Sequence, residues 1–369
     1  MLDFIRIENF KCYADQEFGL AQLTLLVGMN AAGKTSVIQA LLLADEAVRS
    51  KRDVISIQDV LHTDINDPYA LVKQDKPEVR GDRFSFTIGN RQEEARIDFS
   101  IHKEQNLVLQ RDIQGEFSER MSYLNAERLG PRANYTSSDS KRMAYNGSNA
   151  SYIIDQADTE AITVDRRMWL NGQGGVSFSF HVERWLRYIL ENISDDVNDS
   201  MRFSVESGTG RGMTSVHYSN SLAPEGVLPP MTGFGLSYVL PIITAVLWST
   251  TEASEEKIIL MENPEAHLHP GAQSRMGYFL AQAAASGIQL IVETHSEHIV
   301  DGARLFAAER HGAAGILVKY MQKAGRRIVI EDLAVKDDGD LPKWPDGFFD
   351  QKTLDLIRLH ELKKRNENK

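Results

Sequence analysis

An α/β fold built on a parallel sheet, with a glycine-bounded loop at the end of one strand, is the architecture this sequence predicts. Three observations point to it. The apolar run Leu23-Thr24-Leu25-Leu26-Val27 meets a glycine-bounded turn and then a helical pattern. Beyond residue 230, short apolar runs alternate with helical stretches, as in strands joined by crossover helices. Hydrophobic residues make up 42% and charged residues 25% of the 369 positions, which excludes disorder as the main state.

Taken in order, the first 27 residues read as strands, with Leu2, Phe4, Ile5 and Ile7 before a turn at Glu8-Asn9. From Thr35, the residues Val37, Ile38, Leu41, Leu42 and Ala44 recur with a period near 3.6 and predict a helix. Residues 50–80 read as loops and short helices. A β-meander is expected over 84–88, 95–99 and 107–109, with turns at Gly89-Asn90 and Glu104-Gln105-Asn106. Residues 130–175, rich in Asn, Ser, Asp and Gly, read as a partly irregular insertion. A helix over 180–193 carries Val182, Trp185, Leu186, Ile189 and Leu190 on one side. Strands at 202–206 and 214–218 flank the glycine-rich stretch 208–212. Helices are expected at 237–248, 271–285 and 297–309, and strands at 258–261, 288–292 and 316–320. The chain divides on this reading into 1–50, an inserted β/helical region 51–230, 231–325 and a small C-terminal domain 326–369.

The formal net charge of −11 argues against a wholly basic nucleic-acid coat, while leaving room for a local basic face. The single cysteine, Cys12, permits no intrachain disulfide and no cysteine-based zinc site, and fits a reducing cytoplasm. The N-terminus lacks the basic and apolar regions of a secretory signal. The longest apolar stretch, 238–248, is shorter than the ~18 residues a membrane span needs and contains Pro241. A cytoplasmic protein without a membrane partner is expected.

Gly28-Met29-Asn30-Ala31-Ala32-Gly33-Lys34-Thr35 matches G-x-x-x-x-G-K-[ST] at every fixed position, between a strand and a helix as the mechanism requires. Gly28 and Gly33 let the backbone across Asn30, Ala31 and Ala32 turn its N–H groups toward phosphates. The helix beginning near Lys34, with Thr35 and Ser36 in its first turn, adds its positive end. Lys34 is expected on the β- and γ-phosphates, and Thr35 on Mg²⁺ through its hydroxyl.

Such a loop needs a distant carboxylate at a strand end to complete the metal shell. Glu262 follows four apolar residues and is that candidate. The usual pattern is an Asp there and then a Glu that positions water. Here Asn263 stands second and cannot act as a base; Glu265 as the base and Asn263 as a water-positioning group with slow hydrolysis remain alternatives. His295 lies just past the apolar run 288–292 and is expected to reach a γ-phosphate. His267 and His269 suggest a metal pair, but no third ligand is identifiable and Pro270 suggests a loop entering a helix.

The segment 4–11 (FIRIENFK), the P-loop, 262–270 (ENPEAHLHP) and 293–298 (ETHSEH) together resemble the ABC-type ATPases of the RecF, SMC and OLD group. The tail 344–351 (WPDGFFDQ) and the segment 123–132 (YLNAERLGPR) resemble a bacterial AAA-labelled subfamily ending in a small domain of unknown function. The resemblance implies an ABC-type ATPase head using ATP and Mg²⁺. It also implies a homodimer or higher homo-oligomer, pairing head to tail. Each nucleotide would then be sandwiched against a partner's signature segment, for which Gly233-Phe234-Gly235-Leu236-Ser237 fits by position, with Ser237 offering a hydroxyl. Lys11 or Arg6 is a further candidate for nucleotide contact, and Gln74 for the glutamine-loop role. The implied function is a dimeric switch or clamp in DNA transactions or antiphage defence, with a separately encoded effector and DNA as a possible ligand. Two alternatives are an ATP-binding scaffold with little turnover and an OLD-like nuclease. For the nuclease, Glu331 and the pair Asp338/Asp340 mimic the acidic set, but Glu331 and Asp338 are only seven positions apart.

Overall fold

A computed structural model describes residues 1–63, 65, 67–73, 81–102, 106–136, 140–191, 201–207, 213–220, 223–231, 234–310, 312, 315–325, 327–345 and 347–367. The chain opens with a hairpin, β1 (Phe4–Phe10) against β2 (Tyr13–Gly19), in which Phe10 pairs with Tyr13. The reversal falls at Lys11-Cys12, later than the expected Glu8-Asn9, and Asn9 and Lys11 take positive φ (56° and 49°) on either side of Phe10. β3 (Leu23–Gly28) then leads into α1 (Lys34–Arg49) as the pattern predicts. After β4 (Val54–Ser56) and α2 (Ile57–Leu61) comes the expected meander of β5 (Arg83–Gly89), β6 (Glu94–His102) and β7 (Asn106–Gln114). Its second predicted turn includes 104 and 105, which lie outside the described residues.

β8 (Arg120–Leu124) and β9 (Tyr135–Thr136) precede α3 (Ala150–Thr159), a helix inside the stretch expected to be irregular. The polar composition there masks Ile153, Ile154 and Ala157, which are fully or almost fully buried. α4 (Phe178–Glu191) follows, then β10 (Arg202–Ser207), β11 (Met213–Asn220) and β12 (Ala223–Val227). The glycine-rich stretch 208–212 lies outside the described residues. The last third alternates as predicted: α5 (Phe234–Thr250), β13 (Glu256–Glu262), α6 (Pro270–Ala285), β14 (Gln289–Glu293), α7 (Glu297–Arg310) and β15 (Ile316–Ala324). An unforeseen antiparallel strand, β16 (Arg327–Ala334), and a terminal helix, α8 (Gln351–Glu367), complete it.

The central sheet runs β16-β15-β3-β14-β13-β8, parallel throughout except for β16. An antiparallel sheet, β2-β1-β5-β6-β7-β4, stands apart from it, and β9 to β12 form a third. The stretch 51–230 is therefore not one inserted unit. β4 to β7 join the N-terminal hairpin, β8 edges the central sheet, and β9 to β12 pair among themselves.

Both faces of the central sheet are covered, so its strands read as continuous apolar runs rather than alternating ones. Leu26, Leu260 and Ile291 pack with α1 and the antiparallel sheet; Leu25, Ile259 and Leu290 pack with α4 to α7. Among the described residues no helix is long and apolar enough to cross a membrane. Because β3, β14 and β13 are parallel neighbours, their carboxyl ends share one edge, with β14 in the middle.

Candidate nucleotide site

The loop between β3 and α1 is shaped by positions that tolerate no side chain. Gly28 has φ +136°, and a Cβ there would lie 2.0 Å from the Met321 carbonyl oxygen on β15. Gly33 has φ +89°, and a Cβ there would lie 2.3 Å from the Tyr13 hydroxyl. Tyr13 also donates to the Gly33 carbonyl at 3.0 Å, which ties the N-terminal hairpin to the mouth of the loop. Gly33 offers no side chain to cap α1, so the positive end of that helix is left for an anion. Lys34 is 3% exposed, and its Nζ donates to the carbonyls of Gly28 (3.0 Å) and Met29 (2.9 Å). Burial lowers its pKa.

Two carboxylates meet this loop from neighbouring strand ends, Glu262 on β13 and Glu293 on β14, paired in register. Thr35 donates its hydroxyl to Glu293 Oε1 at 3.0 Å, while Glu293 Oε2 is buried and has no hydrogen-bond partner among the described residues. Burial, reinforced by Glu262, pushes the Glu293 carboxyl up to about 7 despite the Thr35 hydrogen bond. Glu262 Oε1 accepts from the Tyr123 hydroxyl at 2.8 Å, and burial raises its pKa as well.

Asn263 turns the chain away from β13 with φ +46°, and its N–H donates to the Glu293 carbonyl at 2.8 Å. Its Oδ1 is buried without a partner among the described residues. Arg128 holds the same turn from the other side, donating to the carbonyls of Glu262 (2.8 Å) and Asn263 (2.6 Å). Burial lowers the Arg128 pKa to about 10, still charged at neutrality. Glu265 Oε2 accepts from Thr294 Oγ1 at 2.8 Å and its Oε1 from the His295 N–H at 2.7 Å. His295 Nε2 lies 4.0 Å from Glu293 Oε1, and burial, then Lys34, lowers its pKa.

The strand ends thus bring together Lys34, Thr35, Glu262, Asn263, Glu265 and His295, as the sequence reading grouped them. Ser237 stands apart. It lies one turn into α5, is 3% exposed, and lines a small internal hollow with Leu129, Tyr135 and Pro241. A hydroxyl placed there faces its own protomer, so the expectation that it reaches a partner's nucleotide does not match its position. Gly233 and Gln74 lie outside the described residues. Arg6 is taken up by Asp15 in a bidentate pair at 2.6 and 2.8 Å, whereas Lys11, bonded to Gln39, borders the phosphate-loop cleft. His269 accepts from the Gly271 N–H at the start of α6, and His267 meets the Tyr238 ring edge-on at 4.4 Å. Glu331 pairs with Lys343, and Asp338 accepts the Asp340 N–H, far from a shared acidic cluster.

Sequence reasoning missed three residues. Tyr123 and Arg128 sat in a recognised segment with no role attached. Glu293 stands beside His295, and a carboxylate directly after the apolar run Leu290-Ile291-Val292 is signal enough to mark it.

A cleft of about 210 Å³ borders Lys11, Gly33, Lys34, Thr35 and Glu293, and a second hollow of about 450 Å³ adjoins it at Cys12 and runs past Tyr13 to Arg327 and Ile328. The residues fit a magnesium-bound nucleotide. Gly33 leaves a cradle only a glycine can leave, and Glu293 Oε2 and Asn263 Oδ1 are buried acceptors awaiting donors or a cation.

The model of the AAA ATPase domain family matches residues 1–164 and 190–300, and that of a protein family of unknown function, DUF3696, matches residues 318–359. Among solved structures, the chain is similar to an Smc head bound to the C-terminal winged-helix domain of ScpA, at TM-score 0.52 and 12% identity. That match covers 90% of this chain and 98% of the other. It is also similar to an Smc head with an extended coiled coil bound to the C-terminal domain of ScpA, derived from Pyrococcus furiosus. The TM-score is 0.53 and the identity 11%, covering 97% and 99%. At these identities the likeness is one of fold. No curated protein matches the chain.

Proposed function

The chain belongs to the AAA ATPase domain family, and on that premise we propose that it binds ATP with Mg²⁺, hydrolyses it slowly and uses the bound state as a switch. The observation that carries this reading is the contact between the P-loop and a neighbouring strand end, Thr35 on Glu293, with Lys34 held along the loop. Lys34 exchanges the Gly28 and Met29 carbonyls for phosphate oxygens. Thr35 and Glu262 hold the metal, which when bound neutralises charge on the phosphates. Asn263 carries an amide where a base is usual, and both Glu265 oxygens already accept hydrogen bonds from Thr294 and His295. That supports slow turnover, with Asn263 orienting water rather than deprotonating it. His295, whose pKa burial lowers, lies 4.0 Å from Glu293 Oε1 at this strand end, which supports a contact to the terminal phosphate.

The switch reading extends to a head-to-tail homodimer and a separately encoded effector, in DNA transactions or antiphage defence; it rests on the resemblance to RecF, SMC and OLD heads. Two observations favour a protein partner. The Smc heads of similar fold are bound to domains of ScpA. On α8, Leu356, Ile357 and Leu359 stand 58%, 54% and 54% exposed, an apolar surface of the kind that marks contact sites.

Calorimetric titration with ATP and Mg²⁺ tests the core of the proposal. Wild-type protein binds, and Lys34→Ala loses about ten- to hundred-fold in affinity as a charge-assisted phosphate contact disappears. Unchanged affinity in Lys34→Ala contradicts it.

A further inference from the structure

Glu262 and Glu293 end adjacent strands in the same register, yet their surroundings differ. Glu262 is anchored on the β8 side, where Tyr123 donates to its Oε1. Glu293 instead touches the P-loop itself, through the Thr35 hydroxyl at 3.0 Å. A hydroxyl has one proton and two lone pairs. With its proton committed to Glu293 Oε1, Thr35 keeps both lone pairs for another partner. The other oxygen of Glu293 is buried and has no hydrogen-bond partner among the described residues. Leaving a carboxylate oxygen so placed is costly unless something supplies a donor or positive charge. Lys34 contributes charge but no hydrogen bond to it, its Nζ donating to the carbonyls of Gly28 and Met29. His295 Nε2, at 4.0 Å from Oε1, is beyond hydrogen-bond reach.

We infer that Glu293 is the positioning residue of the magnesium site: it fixes the Thr35 oxygen with its lone pairs free for the cation, and offers Oε2 to the cation's hydration shell. This rests on the ATP·Mg²⁺ reading and deepens it, because that reading by itself assigns the metal to Thr35 and Glu262. A residue that orients a metal ligand and accepts from metal-bound water typically changes metal affinity ten- to hundred-fold when replaced. The site also gathers three carboxylates, Glu262, Glu265 and Glu293, facing Lys34, Arg128 and Lys11. The charge on Glu293, beside Thr35, opposes the phosphates of metal-free ATP.

The test is ATP affinity measured by calorimetry in Mg²⁺ and again in EDTA, with Mn²⁺ binding to the nucleotide complex followed by electron paramagnetic resonance. Glu293→Gln keeps the size of the side chain and an acceptor oxygen but places an amide donor or a neutral oxygen where the cation's water sits. It is expected to leave EDTA affinity equal or higher, while the Mg²⁺ enhancement and Mn²⁺ affinity fall about ten- to hundred-fold. Glu293→Asp keeps the charge, loses reach to Thr35, and is expected to fall between the two. A role confined to folding would lower both affinities together and would not separate Mg²⁺ from EDTA. If Glu293→Gln and Glu293→Asp both keep the wild-type ratio of Mg²⁺ to EDTA affinity, the inference is overturned while the nucleotide reading stands. If the wild-type protein binds ATP in neither condition, the nucleotide reading falls and this inference with it.

Discussion

Strand β13 carries a glutamate at each end, Glu256 buried and Glu262 half-buried, and the two ends are built differently. At its start, Glu256 is 5% exposed and paired with the Arg142 guanidinium at 2.9 Å. At its finish, Glu262 has a phenol for company and two further carboxylates nearby, with Lys34 facing Glu293 and Glu265, and Arg128 and Lys11 facing Glu262. One end is closed by a partner from its own chain. The other gathers three carboxylates, and leaves acceptors on Glu293 and Asn263 unfilled among the described residues. The same residue type on the same strand is therefore closed by a guanidinium at one end and by a phenol at the other, beside acceptors that nothing fills among the described residues. Buried polar groups without partners are rare enough in folded proteins that their clustering at one sheet edge marks a site.

Breaking the strand between its ends should have the largest effect. Leu260 is fully buried between α1 and the antiparallel sheet, and Leu260→Ala is expected to cost about 2–5 kcal/mol in chemical denaturation, with both ends losing order together.

The closed end comes next. Burial pushes the Glu256 carboxyl up to about 7 against the pull of Arg142, from an ordinary 4.5. A carboxyl with a raised folded pKa binds its proton more tightly when folded. Its contribution is complete below about 4.5 and is lost as the pH rises through about 7. Glu256→Gln should therefore flatten the stability profile between those values by roughly 1–3 kcal/mol, while Mg²⁺-dependent ATP binding stays as in wild type. Thermal melts across that range check it, and a slope that survives the substitution contradicts it.

At the open end the expectation is reversed. Glu262→Gln should leave the melting temperature within a degree or two and weaken Mg²⁺-dependent ATP binding about tenfold, because it removes a carboxylate from the metal shell. Calorimetry and melts on the same sample separate the two.

The smallest effect is expected on the antiparallel sheet. Arg6 and Asp15 form an exposed pair there, with side chains 44% and 53% accessible. Arg6→Ala should change stability by about 0–1 kcal/mol and leave ATP binding untouched, although Arg6 belongs to the segment that resembles an ATPase head.

Much of this was legible in the sequence. Continuous apolar runs gave β3, β13 and β14, because strands covered on both faces do not alternate. The P-loop, Glu262 and His295 followed from what stands at the ends of those runs. Strand order was not legible. β14 lies between β3 and β13, so it is Glu293 rather than Glu262 that meets Thr35, and no local pattern encodes that adjacency. β8 escaped notice because Arg120–Leu124 is short and lies at a sheet edge, where it pairs only with β13 in that sheet. Ser237 was placed by its distance from the acidic strand, but the phase of α5 turns its hydroxyl inward. The helix α3 is hidden by the polar residues at its exposed positions, which dilute the period of Ile153, Ile154 and Ala157.

The central claim is that the open end binds ATP and turns it over slowly because an amide, Asn263, stands where a base is usual. Phosphate release at saturating ATP and Mg²⁺, measured on wild type, Asn263→Glu and Glu265→Gln, tests it most directly. A positioned general base contributes about 10²–10⁴-fold, so Asn263→Glu should accelerate release toward that range. Glu265→Gln should lower the rate only modestly, through the displaced His295 segment. Fast wild-type turnover that neither substitution changes would contradict the account.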